Sequence, residues 1–218
     1  MLPERLRVLY LHGFASSPRS RKATFFEERL KSIGFDVDIP DLAQGDFRGL
    51  TISGQIRLLD GLAGREPVIL IGSSLGGYVG SLYAARYPER VSKLILLAPA
   101  FHFADLWKSE LPPEQLAAWR ENGTISVYHY GEGRCMPIGY QLIEDATRFE
   151  PSPDFRQPAL IFHGNQDRSV PVQFSIDFAG SHPDAQLVCL ESGHELTDVL
   201  DRIWERSEKF LLEGRLAN

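Results

Sequence analysis

Ser74, Asp167 and His194 stand in short turn-forming stretches, and their side chains complement one another chemically. A serine hydroxyl is a weak nucleophile near neutral pH. An imidazole within hydrogen-bond reach can take its proton, and a carboxylate can hold that imidazole in the required tautomer. The chemistry open to such a trio is acyl transfer: attack on a carbonyl carbon, a covalent acyl-serine, and release by water. Ser74 is the centre of Gly72-Ser73-Ser74-Leu75-Gly76, a G-x-S-x-G string that puts a serine on a sharp bend with its hydroxyl above a sheet edge. A side chain at Gly72 or Gly76 would collide with neighbouring backbone as the chain reverses, and Gly77 and Gly80 let the next helix pack close to the strands. A phosphate cradle would need G-x-G-x-x-G or G-x-x-x-x-G-K-[ST], and neither occurs at this turn. Glu191 is a rival for the carboxylate role, but it lies three residues before His194, and the position of Asp167 suits the role better. His163, at a strand end, and His182, before a proline, are expected to be structural; His12 is expected to brace its loop, and His102 and His129 fall elsewhere.

These residues need elements to hold them. Val68 to Ile71 is a continuous apolar run, which predicts a strand buried on both faces, and the turn at Ser74 leads into a helical pattern from Leu75 to Tyr87 that Pro88 stops. Strands are also predicted at Leu6 to Leu11, Phe35 to Ile39, Leu94 to Leu97, Ala159 to His163 and Leu187 to Leu190. Helices are predicted at about Ser20 to Ile33 (closed by Gly34), Ser53 to Leu62, Val172 to Ala179 and Leu196 to Leu212. Alternating apolar strands and helices require crossover connections, hence an α/β fold with a mostly parallel sheet flanked by helices on both faces. In such sheets ligands bind at the carboxyl ends of the strands, and there Asp167 and His194 follow the last two strands. The order Ser74, Asp167, His194 is that of an α/β-hydrolase. Two backbone N–H groups should serve the oxyanion: that of Leu75, at the start of its helix, and that of Phe14, after the first strand at His12-Gly13-Phe14.

The alternation breaks from Phe101 to Gln157. This stretch contains Trp107 and Trp119, helix-like pieces at Pro113 to Glu121 and Tyr140 to Phe149, and a hairpin across Gly131-Glu132-Gly133. Residues 101–157 are expected to form a lid-like insertion after the fourth strand, within one domain spanning 1–218, with Trp107 and Trp119 lining an acyl pocket. The alternative is an excursion that packs its tryptophans into the main core.

Composition narrows the function class. A net charge of −6 and no basic stripe with interleaved aromatics argue against a nucleic-acid surface. No run approaches the roughly 20 apolar residues that span a bilayer. Cys135 and Cys189 fit no metal-ligand spacing, and so low a count suits a reducing compartment. With no long apolar stretch or cleavage site at the N-terminus, the expected location is cytoplasmic. Arg19, Arg21 and Lys22 gather at a helix start, where cations are unfavourable by roughly 0.3–1 kcal/mol each. Pairing with Asp41 or Asp46 is one expected compensation, and recruitment of an anionic substrate is the other.

The opening L-Y-L-H-G-F-A-S-S-P-R-S-R-K-A closely resembles that of the YqiA-like esterases, small α/β-hydrolases of the serine esterase and thioesterase group. The turn G-S-S-L-G-G-Y is similar to theirs and to that of mitochondrial acyl-protein thioesterases. The resemblance runs from Leu6 to about Leu212, and its motifs fall on Ser74, Asp167, His194, Phe14 and Leu75. It implies hydrolysis of a small-molecule carboxylic ester or thioester without metal or organic cofactor. The departure is Phe101 to Gln157, since the YqiA-like enzymes are more compact. An acyltransferase or perhydrolase would use the same acyl-enzyme, and a noncatalytic binding protein could share the fold.

Overall fold

The computed structural model describes residues 7–64 and 66–213; Leu6, expected in the first strand, lies outside them. Strands β1 (Arg7–Leu11), β2 (Asp36–Asp38), β3 (Val68–Ser73), β4 (Val91–Leu97), β7 (Ala159–Gly164) and β8 (Ala185–Leu190) form one parallel sheet in the order β2-β1-β3-β4-β7-β8. Between β4 and β7 the chain makes a separate antiparallel hairpin, β5 (Thr124–His129) and β6 (Arg134–Gly139), turning across the glycines predicted for it. The helices are α1 (Arg21–Ser32), α2 (Ile52–Ala63), α3 (Leu75–Arg86), α4 (Phe103–Glu110), α5 (Pro113–Asn122), α6 (Gln141–Ala146), α7 (Val172–Ser181) and α8 (Leu200–Leu212).

Alternation along the strands builds two apolar layers. Val8, Tyr10, Ile69, Ile71, Ile95 and Leu97 face one way, packing with Phe26 and Leu30 of α1 and with Ile203, Trp204 and Phe210 of α8. Leu9, Leu11, Leu70, Leu94, Leu96 and Ile161 face the other way, onto Ile56 and Leu59 of α2, Val79 and Leu82 of α3, and Phe178 of α7. A strand apolar on both faces is stable only when both faces are covered, which is why these runs lack polar alternation.

The local signals account for most boundaries. Ser20 caps α1, its Oγ accepting from the Ala23 N–H at 3.4 Å, and Gly34 takes φ +85° just beyond its end. Helix α4 was not apparent in the sequence. Helix α8 begins at Leu200 rather than Leu196, because Leu196 takes φ +56° and the chain turns before the helix can start.

The segment Phe101 to Gln157 is fastened by buried polar contacts to the helices that cover the sheet, and internally to itself. Asp145 of α6 is buried and accepts from the Ser53 N–H (2.6 Å) and Oγ–H (2.7 Å), placing a carboxylate at the N-terminus of α2. Gln157 donates to the carbonyls of Ala84 and Pro88, both at 3.0 Å. Trp119 is wholly enclosed and donates Nε1–H to the Ile138 carbonyl at 3.1 Å, pinning α5 to the hairpin. Its replacement by Ala should lower stability by about 3–5 kcal/mol, read as a fall in the urea midpoint, because an enclosed indole leaves a cavity that the hairpin cannot close.

Candidate active site

Strand β1 leads out to β2 on one side, and β3 leads to β4, β7 and β8 on the other, so the order of strand addition reverses between β1 and β3. A crevice opens above that reversal. Leu11 pairs with Gly72, Ser73 with Leu97, and Gly164 with Leu190, so the carboxyl ends of the strands form one edge. Phe14, Ser74, Asp167 and His194 all follow that edge.

Ser74 sits between β3 and α3 with φ 51° and ψ −117°. Its N–H donates to the Leu97 carbonyl (2.9 Å), and its own carbonyl accepts from Tyr78 (3.1 Å) and Ala100 (3.0 Å). It makes no side-chain cap on α3, so the hydroxyl is available elsewhere. The two glycines behave as their spacing suggested. A Cβ at Gly76 would lie 2.3 Å from the Leu11 carbonyl oxygen, and one at Gly72 would lie 2.6 Å from the Gly76 carbonyl oxygen and the Gly77 Cα.

The hydroxyl meets an aligned chain of partners. His194 Nε2 is 3.0 Å from Ser74 Oγ, and His194 Nδ1 is 2.7 Å from Asp167 Oδ2. With Nδ1 protonated and donating to the carboxylate, Nε2 carries the lone pair that accepts the serine proton. Asp167 is held from several sides: Oδ1 accepts from the amides of Ser169 (2.8 Å) and Val170 (2.9 Å). His163, expected to be structural, touches the same carboxylate. It is wholly buried, with Nε2 2.9 Å from the Val170 carbonyl and 3.2 Å from Asp167 Oδ2, and Ser175 Oγ–H donates to its Nδ1 at 2.7 Å. The spacing His163-x-x-x-Asp167 at a strand end was the signal that could have revealed it. Glu191 turns away, accepting from Asn165 and Gln166.

Burial pushes the Asp167 carboxyl up, but hydrogen bonds from His163 and His194 outweigh it and hold the group well below the usual carboxylate range. His12 braces its loop, with Nδ1–H on the Gly13 carbonyl (3.0 Å) and Nε2 accepting from Leu42 (3.3 Å). A Cβ at Gly13 would lie 3.5 Å from Ser74 Cβ, so the loop carrying Phe14 runs directly past the serine. Among the described residues no other hydrogen bond takes up the Phe14 or Leu75 amide.

A cleft of about 890 Å³ opens over Ser74 and His194. One wall is aromatic: Phe14, Phe103, Leu106 and Trp107 line it, with Phe14 and Trp107 edge to face at 5.3 Å. Trp119 does not reach the cleft. Expected there as a lining residue, it backs Trp107 from the core at 5.3 Å, because its indole N–H is used on the hairpin. The expected pairing of Arg19, Arg21 and Lys22 with Asp41 or Asp46 is also absent. Asp41 accepts from the Ala43 and Gly45 amides and Asp46 from the Gly49 amide, while Lys22 turns to Glu195. Among the described residues no group of three or more His, Cys, Asp or Glu is placed to hold a metal ion, and no helix is long and apolar enough to cross a membrane.

The profile of an uncharacterised protein family (UPF0227) matches residues 7–210. The palmitoyl-protein thioesterase ABHD10 of Rattus norvegicus is 28% identical over 211 residues, covering 89% of this chain and 70% of that protein. The structure of mouse α/β hydrolase domain-containing protein 10 superposes with a TM-score of 0.80 at 24% identity, covering 100% of this chain and 92% of that one. Est1E from Butyrivibrio proteoclasticus, solved with ferulic acid bound, gives 0.82 at 22% identity over 99% and 92%. At these identities the structural likeness establishes the α/β-hydrolase fold.

Two outcomes are expected from the hold on Asp167. His163→Phe removes one donor to a charged group and should lower kcat about 10–100-fold with little change in KM, while His163→Gln, which keeps a donor, recovers part of the loss. Because the folded carboxyl is the stronger acid, its stabilisation is complete above the unfolded pKa of about 3.9 and is lost as pH falls below it. Urea midpoints measured from pH 6 to pH 2 should therefore fall less steeply in Asp167→Asn than in the wild type.

Proposed function

Since the chain belongs to the uncharacterised protein family UPF0227 and folds as an α/β-hydrolase, we propose that it is a carboxylic ester hydrolase acting on esters or thioesters through Ser74, His194 and Asp167. The observation that carries this reading is the unbroken line from Ser74 Oγ to His194 Nε2 at 3.0 Å and from His194 Nδ1 to Asp167 Oδ2 at 2.7 Å. It is supported by the resemblance to a palmitoyl-protein thioesterase and to Est1E.

Ser74 Oγ attacks the carbonyl carbon as its proton passes to His194 Nε2. The carbonyl oxygen becomes an oxyanion facing the amides of Phe14 and Leu75, the latter at the first turn of α3, where the helix dipole favours negative charge. The imidazolium that forms lies against Asp167, which stays ionised and keeps the ring oriented. His194 then gives its proton to the departing oxygen or sulfur, and the acyl group remains on Ser74. Water enters, His194 takes its proton, and the acid is released with the serine restored. The aromatic wall of Phe14, Phe103 and Trp107 receives the acyl group, since burying apolar surface there is favourable by about 25 cal/mol per Å².

p-Nitrophenyl esters from acetate to palmitate test the reading. The wild type should hydrolyse them and take a fluorophosphonate label, whereas Ser74→Ala should take no label and lose at least about a thousandfold in kcat. An inert, unlabelled wild type would overturn the proposal.

A further inference from the structure

The cleft has two unlike halves. Besides the aromatic residues, it is lined by Tyr10, Arg19, Arg21, Lys22 and Glu195, and the contact of Lys22 with Glu195 sets this group next to His194. Lys22 is buried, and its Nζ has one ion-pair contact, 3.7 Å from a Glu195 carboxylate that is itself 74% exposed. One long contact to a solvated carboxylate is weak compensation for an ammonium taken out of water. Burial draws Lys22 below the usual ammonium range, and the carboxylates of Glu195 and, more weakly, Asp167 draw it only partly back. Nearby, the Tyr10 side chain is fully buried and its hydroxyl has no hydrogen-bond partner, although a phenol donor enclosed in protein is nearly always bonded. Arg19 and Arg21 are exposed, and among the described residues no ion pair engages either. All three cations stand at the start of α1, whose first turn carries no acidic residue.

We propose that this half of the cleft is an anion subsite for a carboxylate or phosphate carried on the alcohol or thiol half of the ester. Lys22 and the Tyr10 hydroxyl are its inner donors, and Arg19 and Arg21 form its mouth. The proposal rests on the esterase reading and narrows its substrate class. The reaction itself fixes which half of the substrate lies here: His194 Nε2 must protonate the departing atom, so the leaving group sits on the His194 side, next to Glu195 and Lys22. The acyl group then points to the aromatic wall. An incoming anion would complete the charge of Lys22 and give the Tyr10 hydroxyl an acceptor, and the N-terminal dipole of α1 adds to the attraction.

The test uses three aryl butyrates with one acyl group: 4-carboxyphenyl, 4-phosphonophenyl and the neutral 4-carbamoylphenyl butyrate. Each kcat/KM is divided by the hydroxide-catalysed rate of the same ester, which removes differences in leaving-group strength. The wild type should favour an anionic ester over the carboxamide by at least about tenfold, and Lys22→Met should bring that ratio close to one. The exposed double variant Arg19→Gln/Arg21→Gln, which does not disturb the core, should lower the ratio by about threefold. A stronger preference for the phosphonate assigns a phosphate-bearing leaving group, and a stronger preference for the carboxylate assigns an acid. A wild-type ratio near one, or a high ratio that neither variant lowers, overturns the subsite while the esterase reading stands. Turnover of p-nitrophenyl butyrate without turnover of either anionic ester also overturns the subsite, whereas a wild type inert on every ester and unlabelled by the fluorophosphonate removes the esterase reading and the subsite with it.

Discussion

The left-handed backbone at Ser74 is unfavourable for a serine by about 1–3 kcal/mol and persists only because its surroundings leave no alternative. Its N–H is bonded to β4 and its carbonyl to α3 and the loop after β4, so both peptide planes are fixed from neighbouring elements. Gly72 and Gly76 complete the constraint by letting α3 rise directly against the end of β1. Relaxing Ser74 to ordinary dihedrals would break the bonds that tie it to β4, to α3 and to the loop after β4.

The electrostatic design follows from that rigid point. The Asp167 side chain is wholly enclosed yet held well below the usual carboxylate range, because two amides and two imidazoles donate to it. Burial without those donors would neutralise the carboxyl, and a neutral acid could not stabilise an imidazolium beside it. His163 therefore has a different relation to the chemistry from the other structural histidines. His182 stacks on Phe178 at 3.8 Å and His12 fixes a loop, whereas His163 supports the group that supports His194.

The parallel sheet was legible because its strands are short, apolar and bounded by turn residues, and the G-x-S-x-G turn, together with the positions of Asp167 and His194, follows from that alternation. What escaped was decided by contacts between distant segments. Helix α4 carries only one buried residue, Phe103, so its pattern is weak in isolation. Trp119 and Trp107 look alike in sequence, and Trp119 is enclosed through contacts with Ile138 and Tyr140, residues remote from its own helix. That Lys22 turns to Glu195 while Arg19 and Arg21 pair with neither Asp41 nor Asp46 could not be read either, because those carboxylates had nearer amides to satisfy, a local competition that spacing alone does not reveal.

The turn of the hairpin of β5 and β6 lines the cleft with Tyr130 and Gly131, and the hairpin also fastens segments beyond it. The Tyr130 amide donates to the Ala15 carbonyl at 2.7 Å, and the Gly139 amide donates to the Arg48 carbonyl at 3.0 Å. These bonds clamp the loop after β1 at one end of the hairpin and the approach to α2 at the other. Ala15, at φ 51°, is the neighbour of Phe14, so the hairpin also sets the attitude of the amide beside Ser74. The segment is thus not an exchangeable module: grafting a different insertion here to recast the acyl pocket would unfasten part of the machinery beneath it.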